Sequence, residues 1–392
     1  MNRRRRKIHY RSYYPLFILI FMLKWPDVGC SIYHAVQLPD KVDGHREWYV
    51  PNDFFVESIH FREKTNYSQN AVFIFGNFSN NFNSSRIYYN NSWFNGSIAH
   101  LRNVIVTNAS SPMDHNTLYL FAYKFRFDFI WGIPKGKITH EYKSAICLGH
   151  SAVQNYYGHF FFDMLNPLIL FPQEIVNKSV ILNVPKYSHG DSGILLKAIG
   201  IQDWQIKYCD GDFSFVHDYY CCYAPVPGIW HLSTTIQNVS ISLKKFYNTS
   251  DVKPSKYVLS NRKKTRYIYN FDQLVKSVKK HLPEFSWEVV EDGLSVEESA
   301  KVYSTILFMY TITGSNLCRL YFMNPGGCVV DAQADYNDFA MQSIALVNGF
   351  KIVCYRLKDF YHDKINKKQT RVNVNITEAL YYIDFGLAKM KE

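Results

Sequence analysis

From about residue 255 onward, short apolar runs alternate with amphipathic stretches in a regular series. "KYVLS" reads as a strand and "RKKT" as a basic turn. Asn270 with Gln273 three positions later gives a capping-box start to a helix carrying Leu274, Val278 and Leu282 on one face. "WEVVE" is the next strand, and Ser295 with Glu298 opens a further helix in the same way. "TILFMYTI" is apolar throughout, as in a strand buried on both faces. A "TGSN" turn, a short helix, "NPGG", the strand "CVVDA", a helix near Phe339 to Val347 stopped by Asn348 and Gly349, and the strand "FKIVCYRL" complete the series. This alternation predicts a parallel sheet flanked by helices over residues 251–350, a Rossmann-like, nucleotide-binding type of lobe.

Before residue 255 the periodicity is weaker. "AVFIF" near 71 and "SVILNVP" near 180 predict strands, and "GILLKAIG" predicts a helix ending at Gly200. The sequon-rich stretch between the two strands predicts an irregular surface insertion. A chain of 392 residues, 47% hydrophobic and 17% aromatic, is long enough for two lobes. Residues 31–250 are expected to form an N-terminal α/β lobe carrying that insertion, and 351–392 a closing strand and tail packed back onto it.

One apolar segment breaks its own pattern. In "NYYGHFFFDMLNPLILFP", Asn155 to Pro172, the polar residues Asn155, His159 and Asp163 recur every four positions. On a helix they form one line along a single face, with Asn166 and Pro167 marking its end. Such a line is either an internal hydrogen-bond network or the wall of a site.

The first thirty residues alter the charge picture. They hold Arg3, Arg4, Arg5, Arg6, Lys7, Arg11 and Lys24 against Asp27, a net +6 of the chain's +11. The remaining +5 gives little support to nucleic-acid binding. The nine-residue apolar core "PLFILIFML" that follows is shorter than the roughly 20 residues of a membrane span, so residues 1–30 read as a secretory signal, cleaved or retained as a short type II anchor. Asn-X-Ser/Thr acceptors begin at Asn66, Asn77, Asn83, Asn90, Asn95, Asn108, Asn177, Asn238, Asn248 and Asn375. Composition alone predicts about three, and the excess supports a glycoprotein of the endoplasmic reticulum or Golgi lumen.

Eight cysteines, at 30, 147, 209, 221, 222, 318, 328 and 354, contain no CxxC pair, so a zinc ribbon is unsupported. Cys209 with Cys221 or Cys222 is a plausible local bridge. Cys318, Cys328 and Cys354 sit in apolar surroundings that suit buried thiols as well as disulfides.

Two turns offer anion chemistry. Arg262, Lys263, Lys264 and Arg266 follow a buried strand, where a doubly wound sheet collects ligands and guanidinium groups suit a diphosphate; a solvated basic turn is the alternative. Thr313, Gly314, Ser315 and Asn316 join the most apolar strand to a short helix whose first N–H groups suit an anion, or else form only a tight turn. Asp210 and Asp212 in "CDGD" have the spacing of a metal-diphosphate holder, but a two-residue match arises readily by chance and lies outside the nucleotide-type lobe.

In this order and spacing, the pieces resemble glycosyltransferase family 61. Asn155, His159, Asp163, Leu165, Pro167 and Leu168 match an Asn-x-x-x-His-x-x-x-Asp-x-Leu-x-Pro-Leu segment. Arg262, Arg266 and Asn270 match Arg-x-x-x-Arg-x-x-x-Asn, and Ser295, Glu297 and Glu298 match Ser-x-Glu-Glu. Gly314, Phe322, Pro325 and Gly326 match part of a Gly-x-His-Gly-Ala turn before Phe-x-x-Pro-Gly. Where many members have His before the turn glycine, this chain has Thr313.

The resemblance covers about 145–350. It implies two Rossmann-like lobes of GT-B type and inverting transfer, with no obligatory metal, from a nucleotide sugar to a glycoprotein or glycan. N-acetylglucosamine or a pentose are the candidate sugars. Arg262, Arg266 and the turn Thr313–Asn316 would hold the donor. The base would be His159 with Asp163, or else Glu297 or Glu298. Asn155, Asn270 and Pro325 would shape the cleft. The alternative is a catalytically silent relative that binds glycan or protein, a reading motivated by Thr313 and the many sequons.

Overall fold

The computed structural model describes residues 34–37, 55–64, 71–78, 93–106, 112–113, 117–120, 138–148, 153–154, 157–187, 191–223, 234–263, 265–336, 339–361 and 371–392. The segment 1–30, Asn155, Lys264 and the acceptors Asn66, Asn83, Asn90 and Asn108 lie outside them.

The fold is mixed α/β, with parallel strands in both of its large sheets. The series that begins near 255 forms a six-stranded sheet in the order Trp287–Val290, Lys256–Ser260, Ile306–Ile312, Cys328–Gln333, Lys351–Arg356, Val72–Phe75. Every junction is parallel. The winding direction reverses between Lys256–Ser260 and Ile306–Ile312, the place in a doubly wound sheet where ligands bind at the carboxyl ends of the strands. Side chains alternate across the sheet. Val258, Met309, Val329 and Ile352 enter one core. Leu259, Phe308, Tyr310, Val330 and Val353 enter a second, covered by Phe271–His281 and Ile376–Lys391.

The other sheet has nine strands. Its parallel half runs Phe213–Tyr223, Ile138–Ile146, Val180–Val184, Ile206–Tyr208. Its antiparallel half starts at Trp93–Val106, which pairs with Phe213–Tyr223 on one side and Phe55–Lys64 on the other.

Several expectations are corrected. Val72–Phe75, expected in the first lobe, is the edge strand of the six-stranded sheet, paired with Lys351–Arg356. The stretch expected as an irregular insertion contributes Trp93–Val106, a central strand that buries Ile98, Ala99, Leu101, Val104 and Ile105. Polar residues at its start hide this strand from a reading by composition. The C-terminal helix Ile376–Lys391 packs on the six-stranded sheet, not on the first lobe; a Cβ on Gly386 would lie 2.9 Å from Val330 and 3.1 Å from Phe308. Ser295 and Glu298 form the expected capping box, but Asn270 makes no side-chain cap. Its amide instead exchanges bonds of 2.8 and 2.9 Å with the backbone of Val374, which ties the C-terminal segment down. Cys209 and Cys221 are thiols, so no bridge closes there.

The aromatic segment forms α-turns at Tyr157–His159 and Asn166–Leu168 around a π-helical turn, Phe160–Leu165. It continues past the expected end at Asn166. The Asn166 N–H reaches back five residues to the Phe161 carbonyl, and the widened turn accommodates Pro167, which has no N–H to satisfy. Phe160, Phe161, Phe162, Met164 and Leu165 are all buried, each such side chain contributing roughly 1.5–3 kcal/mol. One core joins them to Ile146, Ile181 and Leu195 of the first sheet's layer and to Val258, Met309 and Val329 of the second. The segment is greasy because it is packed from both sides.

Candidate active site

The helix begins against the turn that follows Ile306–Ile312. A Cβ on Gly158 would lie 3.4 Å from the Ser315 Oγ, so the helix runs in close contact with the Thr313–Ser315 turn. Further along, Asn166 and Tyr321 exchange hydrogen bonds of 2.9 and 3.0 Å in a buried contact. Phe161 packs on the Tyr321 ring at 5.1 Å. These contacts fix the aromatic helix on the turn helix Ser315–Phe322. His159 is thereby presented beside the turn, 48% exposed, with its Nδ1 2.6 Å from the Asp163 carboxylate. The i,i+4 line predicted for the polar residues is realised in this pair.

From the other side, Arg262 reaches over the same turn. Its Nη1 donates to the Thr313 carbonyl at 3.3 Å and occupies the space above Gly314, where a Cβ would fall 1.6 Å from it. Asn261 holds the basic turn in shape: its amide bonds the backbone of Ile268 in both directions and accepts from the Arg262 N–H. Burial, then the neighbouring Arg266, lowers the Arg262 guanidinium to about 10, with Asp292 opposing; it stays charged at neutral pH. Arg266 adopts a left-handed backbone at φ 57°, which turns the chain back toward Tyr267–Ile268. Lys263 points away and pairs with Glu291 at 2.6 Å.

Three buried polar atoms cluster at this crossing. Arg262 Nε, Thr313 Oγ1 and Asn316 Oδ1 have no hydrogen-bond partner among the described residues. Buried polar groups in folded proteins are nearly always satisfied, so this cluster marks a place prepared for a polar ligand.

Other candidates are placed elsewhere. Glu298 is spent on the cap at Ser295, accepting bonds of 2.8 Å from its N–H and hydroxyl. Glu297 pairs with Lys301 at 2.6 Å on the exposed face of the same helix. Neither bonds any member of the Arg262 cluster. Asn270 braces the C-terminal segment, and Pro325 packs on Gly349. Asp210 accepts from His140 at 2.9 Å and from the Asp212 N–H, and Asp212 accepts from Thr139; the pair closes a turn before Phe213–Tyr223. Among the acceptor asparagines, Asn77, Asn177, Asn238, Asn248 and Asn375 are exposed, and Asn95 lies on the strand Trp93–Val106.

Two residues at the site escaped the sequence reading. Arg319, 13% exposed, sits one turn beyond Ser315, donates to the Leu294 carbonyl at 2.6 Å and lies 3.4 Å from Asp292. Asp292 follows the strand Trp287–Val290 and also accepts from the Lys263 N–H. The signal for Arg319 was its i+4 spacing from Ser315 on the turn helix.

A family model described as Glycosyltransferase 61 matches residues 157–330. This segment belongs to glycosyltransferase family 61. It opens at the site helix and ends inside Cys328–Gln333, and so includes His159, Asp163, Arg262, Arg266 and the Gly314 turn. No curated protein matches the chain significantly. A glycosyltransferase family implies a nucleotide-sugar donor and a glycan acceptor as ligand classes.

Proposed function

We propose that the chain is an inverting glycosyltransferase with two lobes of GT-B type. It transfers a sugar, N-acetylglucosamine or a pentose, from a nucleotide donor to a hydroxyl of a glycoprotein or glycan in the secretory pathway. The observation that carries this reading is the crossing of Arg262 over Gly314, with buried polar atoms awaiting a ligand, beside the His159–Asp163 pair.

The donor diphosphate lies at the switch point, against Arg262, Arg266 and the N–H groups that open Ser315–Phe322. Thr313, Ser315 and Asn316 add short polar side chains. His159 removes the acceptor hydroxyl's proton as that oxygen bonds to the anomeric carbon, and the carbon–oxygen bond to the diphosphate breaks. The arginines meet the charge left on the diphosphate, so the reaction calls on no divalent metal. Asp163 orients the imidazole through the bond to its Nδ1. Residues 1–30 deliver the chain to the endoplasmic reticulum or Golgi and anchor it if uncleaved.

Isothermal titration with UDP-, GDP- and CMP-sugars tests the reading, and failure of all three to bind defeats it. A silent, glycan- or protein-binding relative is the second reading. It is favoured by Thr313, which is 4% exposed and whose side chain offers a small hydroxyl where many members place an imidazole.

A further inference from the structure

At the far end of the helix that carries His159, a pocket of about 340 Å³ opens to solvent. Leu168, Ile169, Phe171, Ile199, Ile201 and Ile241 line it. None of its lining residues is charged, so it does not suit a nucleotide diphosphate. Ile241 is 53% exposed there, beside the polar side chains of Gln173, Asn238 and Ser242, and such a mixed, uncharged lining suits a sugar.

One acceptor asparagine lines the pocket, and a second is hydrogen-bonded to a residue that does. Asn238 itself lines the pocket, one turn before Ile241 on the helix Thr234–Phe246. From the facing helix Gln173–Lys178, Gln173 lines the pocket and donates to the Asn177 Oδ1 at 2.7 Å. Asn238 is exposed and its side chain has no hydrogen-bond partner among the described residues, so its nitrogen is available for modification. Glycosylation leaves an asparagine's Oδ1 as an acceptor, and so preserves the Gln173–Asn177 bond as well.

We infer that Asn238 carries an N-linked glycan whose first sugars lie in this pocket as an intramolecular cover. The inference rests on the secretory reading. In the modification the amide nitrogen bonds to the anomeric carbon of a lipid-diphosphate-linked oligosaccharide. The bond from that carbon to the diphosphate breaks, and the amide gives up one proton. The sugar nearest the protein then sets its apolar ring face on Ile241 and Phe171, while its hydroxyls reach Gln173 and Ser242 on the rim.

The test uses the full chain secreted from eukaryotic cells. Mass spectrometry should find Asn238 occupied. Asn238→Gln should raise the emission of a hydrophobic dye at least about twofold and lower Tm by about 2 °C, whereas Asn77→Gln, which removes an acceptor far from the pocket, should change neither. On the unmutated protein, trimming to a single N-acetylglucosamine should keep the pocket covered, and complete removal should expose it. An unmodified Asn238 in a chain glycosylated at Asn77 overturns the inference but leaves the secretory reading standing, as does equal behaviour of the two variants. A chain glycosylated nowhere overturns both.

Discussion

The Arg262 guanidinium stands where a side chain on Gly314 would have to go, its Nη1 within 1.6 Å of that Cβ position. The φ of 155° at Gly314 is also one that other residues rarely adopt. Gly314→Ala should therefore push Arg262 off the turn and weaken donor binding at least about tenfold, a loss of ~1.4 kcal/mol. Titration of the variant with nucleoside diphosphates checks this; unchanged affinity would place the donor elsewhere.

Arg266→Ala should abolish donor binding, because its charge lies beside that of Arg262. His159→Ala should leave donor affinity intact and cut turnover by about 10²–10⁴-fold, the usual contribution of a general base. Equal loss of donor binding in the two variants would refute this division of roles.

Asn166→Leu should remove the polar tie to Tyr321 and leave the Tyr321 hydroxyl unsatisfied in a buried layer. The cost expected is about 1–3 kcal/mol, read as a lower midpoint in chemical denaturation. Because this tie holds the site helix on the turn helix, turnover should fall more than donor affinity.

Lys244 is buried, its ammonium donating among the described residues only to the Met323 carbonyl at 3.1 Å, and burial lowers its pKa to about 8. The unfolded chain holds that proton up to about 10.5, so between these values the unfolded state binds more protons and stability rises with pH. Below pH 8 the penalty is fully present. Lys244→Met should stabilise the protein by about 2 kcal/mol at pH 7, with the advantage fading as pH rises from 8 to 10.5. Unfolding midpoints measured at pH 7 and pH 10 decide the matter.

Most of the six-stranded sheet was legible because its central strands Ile306–Ile312 and Cys328–Gln333 are buried on both faces and one of its helices starts with a readable cap at Ser295. The pairing of His159 with Asp163 followed from helical spacing alone. Other features depend on contacts distant in sequence, which no local pattern records. Val72–Phe75 completes a sheet whose other strands begin at residue 256. Asn270 looks like a cap until Val374 arrives to take its amide. Glu297 and Glu298 illustrate the reverse case, since the motif that drew attention to them is satisfied by capping and an i,i+4 ion pair. Arg319 and Asp292 become visible only when two separate carboxyl-end loops are brought together.

The edge strand Val72–Phe75 gives the chain a sewn construction. Phe73 and Phe75 lock against Phe385 of the C-terminal helix at 5.5 and 5.0 Å, so a segment made early in synthesis closes a sheet that is not finished until Lys351–Arg356 has been made. A fragment starting at residue 251 would leave that strand's edge bare and prone to pair with another copy. The six-stranded sheet is therefore not a detachable module, since it takes its edge strand from residues 72–75.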